Sequence, residues 1–200
     1  MNGFGYSPPL GSAGGEDGGG AGGGGRGVAE SGKWYSVPTG TYASATNFTM
    51  QNDEAYLCPA FFDQPTTIQK VGLRVTSGTV TGRFAVYGAN EAGGVGDLIE
   101  DFGVAGPVSS PGDLEIAVDI ELSGRVFFAA IPAAAAVVAG ASSSFFSQEY
   151  QQGSASLDDA RTPHLGLIDM AYGAFPTTPT VVPGVVAAGN KWISFCYQIA

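Results

Sequence analysis

Apolar and polar residues alternate with a period of two along most of the chain after residue 33. The clearest stretch is 114–122, in which every second residue is apolar and faces one side: Leu114, Ile116, Val118, Ile120 and Leu122. The intervening Glu115, Asp119 and Glu121 face the other side. This alternation is typical of a strand with one buried face. Residues 70–76, 83–87 and 192–199 alternate in the same way.

Further apolar runs predict more short strands, at 55–62, 98–104, 125–131, 143–150 and 165–172. Turn-forming residues occur among these runs, at 76–78, 93–94, 110–112, 123–124 and 183–184. No segment has a helical stripe, and the alanine-rich 133–139 is interpreted as a loop or a short helical turn. The predicted fold is all-β, an antiparallel, jelly-roll-like β-sandwich.

The first 32 residues follow a different pattern and predict an extended arm. Thirteen of the 32 glycines lie between Met1 and Gly27. Such a segment buries too little apolar surface to offset the entropy of ordering it. We therefore divide the chain into an anchor peptide with a Gly-rich linker, 1–32, and a β-sandwich domain, 33–200.

A short apolar peptide precedes the linker: Phe4, Tyr6, Pro8, Pro9 and Leu10. It is either a frayed terminus, which is the usual fate of chain ends, or a docking peptide on a tether. A tail that only solubilises the chain has no need of clustered aromatics and prolines. We therefore predict that these five residues bind a partner.

Charge and hydropathy exclude several classes of function. The formal net charge is −10, and the eight basic residues are scattered. Binding to nucleic acid needs clustered Lys and Arg, so it is not expected. Residues 1–10 lack the basic and apolar regions of a signal peptide. The most apolar run, 126–141, contains Pro132 and is short for a membrane span, so membrane insertion is not expected.

No pattern of residues predicts catalysis, and no cofactor is expected. His164 is the single histidine, with no nucleophile motif around it. Glycosidases need two acids that flank one bond. In the adjacent pairs Glu100–Asp101 and Asp158–Asp159, a strand would turn the two side chains to opposite faces. We expect a non-enzymatic protein, and a small jelly-roll hydrolase is the least favoured alternative.

Metal binding is not expected either, although one loop leaves a weak alternative open. The sequence has no Cys-x-x-Cys or Cys/His spacing typical of zinc sites. Asp97, Glu100 and Asp101 lie on or beside a Gly-rich loop, where calcium could find several oxygens. Cys58 and Cys196 are interpreted as buried thiols, with a disulfide between them as the alternative.

Three stretches resemble a β-sandwich module of virion proteins from tailed bacteriophages and related gene-transfer particles. They are Thr-Ile-Gln-Lys-Val-Gly-Leu-Arg-Val-Thr-Ser at 67–77, Gly-Arg-Phe-Ala-Val-Tyr-Gly-Ala-Asn at 82–90 with Gly-Gly-Val-Gly-Asp-Leu at 93–98, and Leu-Ser-Gly-Arg-Val-Phe-Phe-Ala-Ala at 122–130. The resemblance spans residues 59–131, less than half of the chain. The module's usual Leu-Gly-Ile-Tyr is Phe-Ala-Val-Tyr here, and its usual Tyr-Trp is Val-Phe-Phe.

The resemblance implies a structural or adhesive virion protein, of the tail-fibre, tail-tip or head-fibre type. In such proteins an N-terminal peptide often anchors the chain to the particle, so the expected partners are other virion proteins on the portal, tail or capsid side. A homo-oligomer is also expected, folded in the cytoplasm of the bacterial host and then located on the virion. The alternative is a carbohydrate-binding module that holds a host-surface glycan, because exposed aromatic side chains stack on sugar faces.

Overall fold

The computed structural model describes residues 31–37, 44–142, 164–185, 191–193 and 195–200, and all of its regular secondary structure is β. Eleven strands follow one another in chain order: β1 (Trp34–Val37), β2 (Ser44–Met50), β3 (Glu54–Ser77), β4 (Thr79–Ala89), β5 (Val95–Ser109), β6 (Gly112–Pro132), β7 (Ala136–Ser142), β8 (His164–Asp169), β9 (Val181–Val185), β10 (Lys191–Ile193) and β11 (Phe195–Ile199). Every pairing is antiparallel. In these ranges there is no helix that could cross a membrane.

Two long strands, β3 and β6, pair with each other and run through both layers of the fold. The first layer, sheet I, has the order β9-β8-β3-β6-β4-β5 and uses the first half of β3 with the second half of β6. The second layer, sheet II, has the order β6-β3-β11-β1 and uses the other halves. Strand β7, with β2 and β10 beside it, joins sheet II at the end of β3. The predicted antiparallel β-sandwich is thus confirmed.

The two long strands change sheets at a corner. The register between β3 and β6 shifts between Phe62 and Thr66, which lets 63–65 bulge out of β3. Opposite this bulge, Gly124 has φ +69° and open space where a Cβ would lie. Glycine is needed at this position because the backbone is left-handed, and not because a side chain would lack space. Bends and bulges of this kind are how strands pass from one sheet of a sandwich to the other.

The core lies between the two sheets and is rich in stacked aromatic rings. The Phe128 ring of sheet I stacks on Phe195 of sheet II with centroids 4.9 Å apart. Phe62 meets Tyr197 edge to face at 5.4 Å. Such pairs stabilise the fold beyond the area they bury, by about 0.5–1.5 kcal/mol each. These contacts across the layers hold the folded β3–β6 ribbon closed.

Part of the outer face of sheet I is buried as well. A smaller apolar cluster there contains Ala55, Leu57, Ala85, Tyr87, Phe127, Ala129, Ile131, Ile168 and Phe175. The β8–β9 connection, 170–180, covers part of this face and contributes Phe175 to the cluster. Both faces of the sheet are buried along the second half of β6. Residues 126–132 therefore form a continuous apolar run and do not alternate.

Most of the predicted strands are confirmed, including the alternation along β6. Leu114, Ile120 and Leu122 are buried, whereas Ile116 and Val118 are only partly buried against the core. The reason is that no described strand pairs with the other side of this half of β6, which is therefore a sheet edge. The alternation in the last strand is also confirmed, with Phe195, Tyr197 and Ile199 buried.

Several boundaries differ from the sequence prediction. The loop or helical turn predicted at 133–139 is partly wrong, because residues 136–139 belong to strand β7, in which Ala136 and Val138 are buried between the sheets. The turn predicted at 123–124 is the corner inside β6, and that at 183–184 lies within β9. Strand β8 ends at Asp169 and not at residue 172. The strand predicted at 143–150 lies outside the described residues.

Candidate functional site

The chain enters and leaves the sandwich at the same place. The Gly32 amide donates a hydrogen bond of 2.8 Å to the carbonyl of Ile199, and the Gln198 side chain donates one of 2.9 Å to the carbonyl of Gly32. The Ala200 amide donates to the carbonyl of Thr67, just beyond the corner in β3. We call this the arm end of the sandwich. A segment that precedes Ser31 therefore joins the domain here.

The five predicted anchor residues, Phe4, Tyr6, Pro8, Pro9 and Leu10, lie outside the described residues, as does the Gly-rich linker. The structure therefore says nothing about their conformation or contacts. What it describes is their point of attachment, at an edge strand of sheet II. Strand β1 pairs with β11 through four residues, from Trp34 opposite Gln198 to Val37 opposite Phe195.

An exposed aromatic surface lies close to the arm end, on the outer face of sheet I. Phe61 is 58% exposed, the largest value among the large hydrophobic residues that the structure describes. Its cross-strand partner Arg125 carries its guanidinium over the ring of Phe127, 5.3 Å from the centroid. Phe61 and Arg125, with the buried Phe127 beneath, form what we call the Phe61 patch.

Phe61 is not among the site residues predicted from the sequence, although the sequence carries a signal for its exposure. Successive residues of a strand point to opposite faces, so Phe61 and Phe62 cannot both enter one core. Phe62 is buried between the sheets, and Phe61 points outward. Arg125 is one of the eight scattered basic residues, and its place beside Phe61 follows only from the strand pairing.

Other aromatic residues of the described ranges divide between core and surface. Phe48 and Phe175 are buried. Tyr35 stacks on Tyr197 with centroids 5.7 Å apart. Trp34, one residue before it on β1, is 42% exposed. Two exposed aromatics, Trp34 and Phe61, therefore flank the arm end on different sheets.

The acidic residues near the Gly-rich loop do not converge on a cation. Asp101 binds Arg83, with Nη2 to Oδ2 at 3.0 Å, and also accepts hydrogen bonds from the amides of Gly103 and Phe175. Asp97 accepts one from the Thr178 hydroxyl at 2.8 Å. Within the described ranges no three His, Cys, Asp or Glu side chains form a group that could hold a metal ion.

These same acids fasten the covering segment, 170–180, onto sheet I. Besides the bonds to Asp101 and Asp97, the Tyr87 hydroxyl donates to the Pro176 carbonyl at 3.0 Å, and the Leu98 amide donates to the Thr177 carbonyl at 2.7 Å. Burial, with the nearby charge of Asp101, raises the pKa of Tyr87 above its usual range, so its hydroxyl stays a donor. These hydrogen bonds give the cluster a structural role, because they hold the covering segment on sheet I.

The expected arrangement of the acidic pair on β5 is confirmed. Asp101 lies opposite Ala85, a residue of the outer cluster, and Glu100 lies opposite Val86, a residue of the core. The two carboxylates therefore point to opposite faces of sheet I. Asp158 and Asp159 lie outside the described residues. His164 is the first residue of β8, opposite Val185.

Neither cysteine forms a disulfide in the structure. Cys58 is buried in the core of sheet I. Cys196 lies opposite Gly72 on sheet II and is partly buried. Burial, followed by the nearby charge of Asp113, raises the pKa of Cys196 to about 11. Both thiols therefore stay protonated near neutral pH.

Comparison with known proteins does not assign the chain to a family. No protein-family model matches it, and no curated protein matches it with significant sequence similarity. The geometry of the arm end, the Phe61 patch and the covering segment is therefore the basis for any proposal about function.

Proposed function

We propose that this chain is a non-enzymatic structural protein of a bacteriophage virion, a tail-fibre, tail-tip or head-fibre component. Its N-terminal arm attaches it to the particle, and its β-sandwich projects outward. One observation carries the proposal: the arm joins the domain at a single end, where the first and last strands are hydrogen-bonded together. A protein held through this end presents the opposite end to its surroundings.

The pairing of β1 suits it to carry a load from the arm. Strand β1 runs away from the arm end, so tension on the arm pulls it along its own axis against β11. All the backbone hydrogen bonds between β1 and β11, from Trp34 to Val37, then bear the load at the same time, and they do not break one after another. The bonds of Gly32 to Ile199 and Gln198 extend this resistance to the point where the arm begins.

The described residues at the end opposite the arm include tight turns. They include the β3–β4 turn at Gly78, which has φ +79°, and the β5–β6 turn at 110–111. The Thr79 and Ser109 hydroxyls lie 3.1 Å apart there and are exposed. A rigid surface with hydroxyl and backbone groups could adhere to a host-surface glycan, which is part of the proposal.

A carbohydrate-binding module is the second candidate, because Phe61 and Trp34 are exposed aromatic side chains. Sugar stacking at these positions would put the binding surface at the arm end. A glycan array separates the candidates when wild type is compared with Phe61→Ala and Trp34→Ala. Binding that either substitution abolishes favours the carbohydrate-binding module, and no binding in any variant favours a purely structural role.

The proposal is tested by locating the protein in purified particles. A label fused after Ala200, which lies at the arm end, should appear at regular positions close to the particle surface. The free end of the sandwich should appear farther out. Particles that contain no copies of the protein would contradict the proposal.

A further inference from the structure

We propose that, before attachment, the Phe4–Leu10 peptide is docked on the Phe61 patch of its own chain. This inference rests on the part of the proposed function that makes 4–10 a docking peptide. It goes further by naming the surface that the peptide occupies in the free protein. Four properties of the patch and the arm support it: position, reach, chemistry and strength.

Position is given by the strand register. Phe61 lies beside the corner, since Phe62 pairs with Gly124 and the β3 bulge follows immediately. The arm end lies just past the same bulge, where the Thr67 carbonyl accepts a hydrogen bond from Ala200 and Ile199 binds Gly32. The patch and the start of the arm are therefore only a few residues apart along the strands.

Reach follows from the length and composition of the linker. Twenty residues, 11–30, separate Leu10 from Ser31. A Gly-rich chain of this length has an end-to-end distance of about 25 Å. The patch lies within this reach, because Phe61 and Thr67 are six residues apart on β3, at most about 20 Å at roughly 3.3 Å per residue. The tether holds the peptide near the patch at an effective concentration on the order of millimolar.

The chemistry of the two surfaces is complementary. Proline-containing peptides adopt an extended helix that docks on aromatic surfaces with little loss of entropy. Phe61 offers an exposed ring for Pro8 and Pro9. The guanidinium of Arg125, which lies over the Phe127 ring, places a positive charge beside Phe61.

Strength must be modest for such a contact to serve assembly. A single short peptide buries far less than the roughly 1,600 Å² of a typical stable interface. Docking on the own chain is therefore reversible, and it shields the apolar peptide until a stronger site is offered. While the arm is docked on its own chain it cannot bind the particle. The apparent affinity for the particle therefore equals the intrinsic affinity multiplied by the fraction of arms that are undocked.

The test uses the full ¹⁵N-labelled chain in solution and compares amide chemical shifts of wild type with the double variant Phe4→Ala, Tyr6→Ala. We expect shifts at Phe61, Arg125 and the neighbouring turn residue Gly93. In a Phe61→Ala background the same double substitution should cause no shift there. Val104→Ala is the matched control: Val104 is 51% exposed but lies opposite Arg83, away from the corner, so the difference should persist.

A mixing experiment identifies whose arm is bound. Labelled double variant is mixed with an excess of unlabelled wild type. Docking on the own chain predicts that the labelled spectrum stays unchanged, whereas recovery of the wild-type shifts would assign the site to a second copy and overturn the inference. Identical patch shifts in wild type and double variant would overturn it as well. Neither result depends on particles. Docking on the own chain can therefore be disproved while arm-mediated attachment still holds, and arm-mediated attachment can be disproved while docking still holds.

Discussion

Asp101 accepts hydrogen bonds from three parts of the fold, whereas Asp113 pairs with one exposed arginine. The Asp101 and Arg83 side chains are only 17% and 23% exposed, against 63% and 49% for Asp113 and Arg74. Exposed pairs are screened by water and contribute little. A partly buried carboxylate that also binds two backbone amides contributes more, because its removal leaves several donors without a partner.

At the residue scale we therefore expect unequal costs for two similar substitutions. Asp101→Ala should lower the free energy of unfolding by about 2–3 kcal/mol, because Arg83 and the Phe175 amide lose their acceptor. Asp113→Ala, the matched control, should cost less than about 1 kcal/mol. Urea denaturation measures both. Equal costs would mean that Asp101 does not fasten the covering segment.

Raised pKa values predict a loss of stability in alkali. The pKa of Cys196 is about 11 in the folded chain, against 9.0 for the ordinary thiol. Because the unfolded chain loses this proton first, stabilisation is complete below about pH 9 and is lost as the pH rises through 11. Burial raises the pKa values of Cys58, Tyr56 and Tyr87 as well, with the same sign.

The urea midpoint should therefore stay constant from pH 7 to 8.5 and fall steadily above pH 9. The Cys196→Ala variant should show a shallower fall above pH 9, because one of the contributing groups is gone. Thiol alkylation at pH 8 should be slow in the folded protein and complete in urea. A midpoint that stays level up to pH 11 would contradict the burial of these groups.

At the scale of elements, β6 tests whether the alternation reports the core. Leu114→Ala should cost about 2–5 kcal/mol, because Leu114 is fully buried and its loss leaves a cavity. Ile116→Ala should cost less than Leu114→Ala, since Ile116 lies at the sheet edge. Glu115→Ala removes only an exposed pair with Lys70 and should cost less than about 1 kcal/mol. The reverse order would mean that the strand faces the other way.

The sequence predicted strands where one face is buried, and it failed where the environment departs from that pattern. Strand β7 carries small residues without alternation, and its place beside β2 and β10 makes it a strand. Ser123 and Gly124 predict a turn between two strands, but in the structure they lie inside β6 where that strand changes sheet, because its pairing with β3 continues on both sides. The covering segment has no period, so only its contact with Tyr87 and Asp101 identifies it.

The candidate site was predictable only in part for the same physical reason. The composition of the arm alone marks it as distinct from the domain. The exposure of Phe61 instead depends on which of two adjacent phenylalanines faces the core, and a period of two leaves that choice open. Packing against Tyr197 settles it in favour of Phe62.

The outer strands of sheet I carry features that discourage pairing with other chains. Strand β5 has several register shifts against β4, and Pro107 lies within it. Part of its edge is occupied by the covering segment through Leu98. Strand β9 contains Pro183. Bulges and prolines on edge strands are common protection against aggregation.

At the scale of the whole molecule, the arm and the domain should be separable. Deletion of residues 1–27 leaves β1, its pairing with β11 and the Gly32 hydrogen bonds intact. We expect the shortened chain to unfold cooperatively and to give a β-type circular dichroism spectrum. A loss of cooperative unfolding would show that the arm is part of the folding unit.

Attachment through the arm has a consequence for assembly. One short peptide buries too little surface for a lasting interface. Several arms acting together gain from the effective concentration that each tether provides. We therefore expect a homo-oligomer on the particle, and light scattering of the free protein at increasing concentration measures whether it forms before attachment.

The most direct test of arm-mediated attachment is the copy number of the double variant Phe4→Ala, Tyr6→Ala in purified particles. The substitutions lie outside the sandwich domain, so the double variant should still unfold cooperatively. If the arm anchors the protein, the variant should be absent from particles or strongly depleted, while the control Val104→Ala is present at the wild-type level. A double variant that is incorporated at the wild-type copy number would contradict the account, because the sandwich itself would then make the attachment.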